Sequence, residues 1–194
     1  KIEGASISFG IAINYKKFPL YESFNQARKM LDKAKKLGDD NKKKDSIAIN
    51  LTKASGLSVF LNFGNETETL KKFKNLINNY YLSNKESEKI NDSTNSVIYL
   101  MDNYRDLYNI AIKNKDKKEI SNFFTNMYSN PMQDNYQKFI EDIADLFIQA
   151  KSDNESNRFK SINKNDFNKD EDTELSSMLR FAKFLVEKGG KSNE

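Results

Sequence analysis

Chemistry in this chain must come from carboxylates, lysines, hydroxyls and aromatic rings, because its 194 residues include no histidine and no cysteine. That removes the commonest general base, the commonest transition-metal ligand, thiol nucleophiles and disulfides. Ser-His-Asp catalysis and the usual zinc sites go with them. An acidic pair does occur, Asp39-Asp40 after Leu37-Gly38. Two-metal phosphoryl chemistry needs carboxylates fixed on rigid backbone around ions about 4 Å apart, whereas this pair follows a helix and points from a loop into solvent. It is not read as a metal site. The cations are more informative. Lys16-Lys17, Lys35-Lys36 and Lys42-Lys43-Lys44 all lie early, and residues 1–65 hold 12 Lys/Arg against 6 Asp/Glu, while the remainder holds 20 against 22. An anionic ligand is expected on the first part, although Lys42 to Lys44 read equally well as a solvated loop.

The elements that position these residues follow from hydrophobic period. From Ala5 to Asn14 the chain alternates, with Ile7, Phe9, Ile11 and Ile13 on one face and Ser6, Ser8, Gly10 and Ala12 on the other, which predicts a half-buried strand. The second face is small enough to admit another backbone or a ligand, or to face solvent. Pro19 suits a first helical position. Leu20, Phe24, Ala27, Leu31 and Ala34 then form one helical stripe, with Gly38 as the stop. Ser46 to Thr52 alternates again with Ile47, Ile49 and Leu51 inward, Lys53-Ala54-Ser55-Gly56 is a turn, and Leu57 to Phe63 is a third strand antiparallel to the second.

After Gly64 the period becomes helical. Stripes through Leu70–Tyr80, Val97–Ala111, Ile120–Met127, Tyr136–Ala150 (opened by Pro131) and Leu175–Val186 predict about five helices, the last stopped by Gly189-Gly190. Residues 151–170 lose periodicity and are rich in Asn, Ser, Lys and Asp, which predicts a mobile loop. The expected fold is α+β: an incomplete strand-helix-strand-strand unit over residues 1–65, then an all-α bundle over 66–194. Three strands cannot close a core alone, so partner strands are expected upstream in the native polypeptide or on another chain, with one edge and one apolar face left uncovered. No run approaches the ~18–20 apolar residues of a membrane span, and the absence of cysteine fits a cytoplasmic protein.

The run Ala5-Ser6-Ile7-Ser8-Phe9-Gly10-Ile11-Ala12-Ile13, then Phe18-Pro19-Leu20, Ala27, Ala34-Lys35-Lys36 and Ser46-Ile47-Ala48-Ile49, resembles the end of a nucleotidyl-cyclase palm domain. Diguanylate cyclases of the GGDEF family share a Ser-x-Gly-Ile-Ala strand and a helix ending in Ala-Lys. The large palm subunit of type III CRISPR effector complexes is the nearer likeness. The Lys-Phe-Pro-Leu link, Leu51-Thr52-Lys53-Ala54-Ser55-Gly56 and the all-α tail are similar to its Cmr (type III-B) branch. The motifs cover residues 5–60; for 66–194 only helical content and position carry the likeness.

That resemblance implies the back half of a ferredoxin-like palm. It also implies a parent nucleotidyltransferase that joins ATP, with Mg or Mn, into cyclic oligoadenylates for antiviral defence. Implied partners are the upstream part of the same protein, small helical and backbone subunits, guide RNA and target RNA. The family's metal-binding Gly-Gly-Asp-Asp hairpin does not occur in this sequence. Lys35 aligns with the family's helix-borne phosphate-binding lysine; the arginine often found four residues later is Asp39 here. Lys16, Lys17 and Lys36 are candidates for RNA or phosphate contact. Two other readings stand beside this one: a non-catalytic scaffold binding sister subunits and RNA, and a GGDEF-type signalling cyclase with a helical tail. Phe123, Phe124, Tyr136, Phe139 and Phe147 fall on apolar stripes and are expected in the core. Tyr80-Tyr81 and Tyr104-Tyr108 are expected to include exposed members that could meet a partner.

Overall fold

The structure is a computed structural model that describes residues 6–37, 44–82, 87–104, 107, 110–111, 116–126, 134–156, 159–160 and 174–189. It is α+β and mostly helical. Strand β1 (Phe9–Asn14) leads into α1 (Leu20–Lys35), followed by β2 (Ser46–Thr52) and β3 (Ser58–Gly64). Helix α2 (Glu68–Leu76) runs on into a π-helical turn, Ile77–Leu82; α3 (Ser87–Asn103), α4 (Lys117–Asn126) and α5 (Asp134–Glu155) follow. A two-residue strand β4 (Phe159–Lys160) and helix α6 (Glu174–Gly189) complete the described elements.

The sheet order is β1-β2-β3-β4. β1 and β2 are parallel, as a crossover helix requires, and β3 is antiparallel to both β2 and β4. Gly56 closes the β2–β3 turn at φ +85°, donating to the Lys53 carbonyl at 3.0 Å; that left-handed backbone favours glycine.

Pairing register sorts the sheet into two unlike faces. Phe9, Ile47 and Phe63 share one row, as do Ile11, Ile49 and Leu61, and then Ile13, Leu51 and Val59. Every residue on this face is apolar. The opposite face is built of Gly10, Ala48 and Asn62, then Ala12, Asn50 and Phe60, then Asn14, Thr52 and Ser58. Helix α1 lies on this face, which apart from Phe60 is small or polar, and buries Met30 and Ala34 against Ala48 and Phe60. Its backbone comes so close that a Cβ at Gly10 would sit 2.2 Å from the Leu31 nitrogen and 2.5 Å from the Ala27 carbonyl oxygen. Of the two alternatives for the Gly10 face, close approach of backbone is therefore the one realised.

The apolar face is sealed unevenly. Leu51, Val59, Leu61 and Phe63 are buried, whereas Ile7 just before β1 and Phe9 and Ile11 on it are 67%, 50% and 40% exposed. Among the described residues no strand pairs with the outer edge of β1.

The chain divides into two compact units, one of residues 1–70 with 152–177, the other of residues 71–151 with 178–194. The aperiodic stretch expected as a loop from residue 151 is different at its start: α5 continues through Glu155, and Phe159–Lys160 add β4 to the sheet. Polar composition hid this because Asp153 is buried for a purpose. Its carboxylate accepts from the Thr69 backbone N–H at 3.1 Å and the Thr69 hydroxyl at 2.6 Å, satisfying orphan donors in the first turn of α2. Residues 157–158 and 161–170 of the expected loop lie outside the described residues.

The second unit has a conventional core. Phe124, Phe139, Ile140, Ile143, Phe147, Met178 and Ala182 are fully buried, and the Phe124 and Phe147 rings meet edge to face at 6.0 Å. The side chain of Tyr136 lies outside the described residues. Tyr80 and Tyr81, in the π-helical turn, are buried at 7% and 3% exposure, whereas Tyr104 is 42% exposed and Tyr108 lies outside the described residues.

Candidate functional site

The lysines singled out by sequence fall at the two ends of α1. At the C-terminal end, Ala34 and Leu37 are buried at 0% and 3% exposure, and these anchors turn Lys35 and Lys36 out into solvent between them. The helix finishes at Lys35, with Lys36 as its cap residue. Its last carbonyls are satisfied twice over. The Lys33 oxygen accepts from the Lys36 N–H at 3.1 Å and from the Asn62 amide at 3.2 Å. The Ala34 oxygen accepts from the Leu37 N–H at 3.2 Å and from the Ser46 hydroxyl. Buried side chains of β2 and β3 thus do the work a C-terminal glycine was expected to do; Gly38 itself, with Asp39, Asp40 and Lys42 and Lys43, lies outside the described residues.

A phosphate at this end would meet two ammonium groups, which act as point charges, and the negative end of a helix, which opposes it. Lys33, one turn back, points over the sheet instead, with Nζ 4.6 Å from the Phe60 ring centroid.

At the N-terminal end, Phe18 N–H donates to the Tyr15 carbonyl at 2.9 Å, so Lys16 and Lys17 occupy the corner of a tight turn, both exposed. Pro19 stands at the cap position rather than inside the helix, with φ −58° and ψ 130° and no side-chain cap. The Asn14 amide donates to the Ser23 hydroxyl at 3.0 Å, holding the end of β1 to the first turn of α1. Sixteen residues at about 1.5 Å rise each put the two lysine pairs at opposite ends of a helix about 24 Å long. They do not form one site.

The second unit contains a polar cleft of about 190 Å³ lined by Lys72, Asn75, Leu76, Asn79, Asp142 and Asp145. Both carboxylates are engaged: Asp142 accepts from the Tyr80 hydroxyl at 2.7 Å, and Asp145 from Lys117 at 2.9 Å. Burial, then the bond to Asp142, pushes the Tyr80 phenol far above its ordinary range. Burial does the same to Tyr81, opposed by its contact with the Thr94 hydroxyl. The bond to Asp145 raises the Lys117 ammonium, with burial opposing it. The two carboxylates of the cleft are thus held in hydrogen bonds to Tyr80 and Lys117. Among the described residues no group of three or more carboxylates converges as metal ligands would.

No protein-family model matches the chain, and no curated protein resembles it closely enough to be identified as a relative. Among the described residues no helix is long and apolar enough to cross a membrane.

Sequence reasoning missed residues at the N-terminal end. Leu20 and Phe24 are on the α1 stripe but 71% and 67% exposed, and Tyr21 is 75% exposed. Periodicity shows that such residues share a face; it does not show how far the sheet extends beneath it.

Proposed function

We propose that residues 6–64 are the back half of a nucleotidyl-cyclase-like, ferredoxin-like palm. Its parent is the large subunit of an RNA-guided type III CRISPR effector complex of the Cmr branch, acting in the cytoplasm. The supporting observation is the order parallel strand, crossover helix, parallel strand, antiparallel strand, with α1 seated on Gly10 and Lys35 turned outward in its last turn. In this reading Lys35, assisted by Lys36, supports ATP binding during cyclic oligoadenylate synthesis. The carboxylates that hold Mg or Mn belong to the parent protein outside this sequence, since no Gly-Gly-Asp-Asp run occurs in it. The open edge of β1 is where the rest of the palm sheet would pair, and guide and target RNA are the polyanionic partners.

The test is oligoadenylate synthesis by the intact protein. Lys35→Ala is expected to cut turnover about tenfold or more while target-RNA binding is unchanged, as loss of a phosphate-stabilising charge should. The 194-residue chain by itself is expected to make no product. Unchanged turnover in Lys35→Ala would return Lys35 to an ordinary helix-end lysine favoured by the dipole.

A second reading, a scaffold module that binds sister subunits, is favoured by one feature of the other unit. Tyr99 on α3, and Leu107 and Ile110 beyond its end at Asn103, are 61%, 52% and 62% exposed, apolar surface of the kind a sister subunit could cover.

A further inference from the structure

We infer that the β1–α1 corner is a stacking platform for single-stranded nucleic acid, with Tyr21, Phe24 and Arg28 as its helix face and Lys16 and Lys17 as its phosphate contacts. Tyr21, Phe24 and Arg28 stand at i, i+3, i+7 and so share one side of α1. Their rings are 75% and 67% exposed, an unusual state for two large aromatics on consecutive turns. The Tyr15 ring, 38% exposed, extends the surface beyond the helix and is braced edge to face by Phe18 at 5.5 Å. Lys16, Lys17 and Arg28 are exposed and make no hydrogen bond or ion pair among the described residues. From Tyr15 to Arg28 the only carboxylate is Glu22, about 100° round the helix from Tyr21. Cations interleaved with open aromatic faces suit a polyanion whose bases are free to stack. A duplex hides its base faces and would meet only the charges. The inference takes Lys16 and Lys17 from the reading above as nucleic-acid contacts and requires no ATP; it does require that strands pairing with the open edge of β1 leave the Tyr21 and Phe24 rings uncovered.

Fluorescence anisotropy on the whole chain tests it, with labelled oligouridylate and oligothymidylate of about 15 nucleotides and an RNA duplex of the same length as probes. Either single strand is expected to bind at least tenfold more tightly than the duplex, and the ratio of the two tells which sugar is preferred. Tyr21→Ala and Phe24→Ala should each weaken single-strand binding about tenfold, while Tyr21→Phe, which keeps the ring, should stay within about twofold. Lys16→Ala with Lys17→Ala should lower the slope of log affinity against log salt by about 1.4, or 0.7 for each lost phosphate contact. The inference is overturned if the duplex binds as well as the single strand, or if Tyr21→Ala combined with Phe24→Ala leaves affinity unchanged. It is equally overturned if that double variant abolishes self-association by light scattering and spares oligonucleotide binding, the result expected of a protein-docking surface. Far-UV circular dichroism on each variant confirms that the exposed substitutions leave the fold in place. Failure here would leave the Lys35 test of oligoadenylate synthesis untouched.

Discussion

At its C-terminal end α1 presents Lys35 and Lys36 between two buried anchors, whereas at its N-terminal end Lys16 and Lys17 stand on a turn among exposed rings. The charges are alike and their settings are opposed. At the N-terminus the helix dipole and the lysines both attract an anion; at the C-terminus the lysines stabilise the helix and must overcome the dipole to hold a phosphate. The first end has rings for bases and suits an extended polyanion. The second has Ser46 and Asn62 fixing the last turn, which suits a positioned point charge. On the proposed reading one helix would serve two different anion chemistries, and what holds it against the sheet is its close seat on Gly10.

Removing that seat should have the largest effect. Gly10→Val puts a branched side chain where even a Cβ would lie 2.2 Å from helix backbone, so α1 must lift. A loss of about 3 kcal/mol in urea unfolding is expected, together with loss of function at both ends. A variant as stable as the parent would show that α1 is not held where the structure places it. Ser46→Ala is a narrower break. It removes a buried donor to the Ala34 carbonyl, which keeps the Leu37 N–H, so about 1 kcal/mol is expected. Amide exchange should speed up at residues 34–37 and remain unchanged near residue 20. Uniform acceleration along the helix would contradict separate control of its two ends. Lys33→Met should cost least, about 0.5 kcal/mol for the lost ammonium contact with Phe60, and a double-mutant cycle with Phe60→Leu isolates that value.

Much of this arrangement is legible in the sequence. The alternation in β1, the helix after Pro19 and the strand from Ser46 to Thr52 are set by local period and stand where they are expected, with β1 shorter at its start. The two sheet faces could not be assigned that way. Period two places Ile11 and Gly10 on opposite faces, but which face takes α1 depends on how close the helix must come, and the small, polar face allows the closer approach. Asp153 was illegible for a related reason: its burial depends on donors in Thr69, far away in sequence. The exposure of Tyr21 and Phe24 depends on where the sheet ends, and one strand's sequence carries no information about whether another lies beside it. The likeness of Lys35 to a phosphate-binding lysine was legible as a motif, and its outward position agrees with such a role without requiring it.

The most direct measurement crosses the two ends in one intact protein. Oligoadenylate synthesis and single-stranded RNA binding are assayed side by side for Lys35→Ala and for Lys16→Ala combined with Lys17→Ala. The account predicts a crossover: Lys35→Ala lowers synthesis about tenfold at unchanged RNA affinity, and the Lys16/Lys17 pair lowers RNA affinity with a shallower salt slope while synthesis per bound complex is retained. Both variants lowering both activities in parallel, or Lys35→Ala leaving synthesis intact, would contradict the assignment of separate tasks to the two ends of α1.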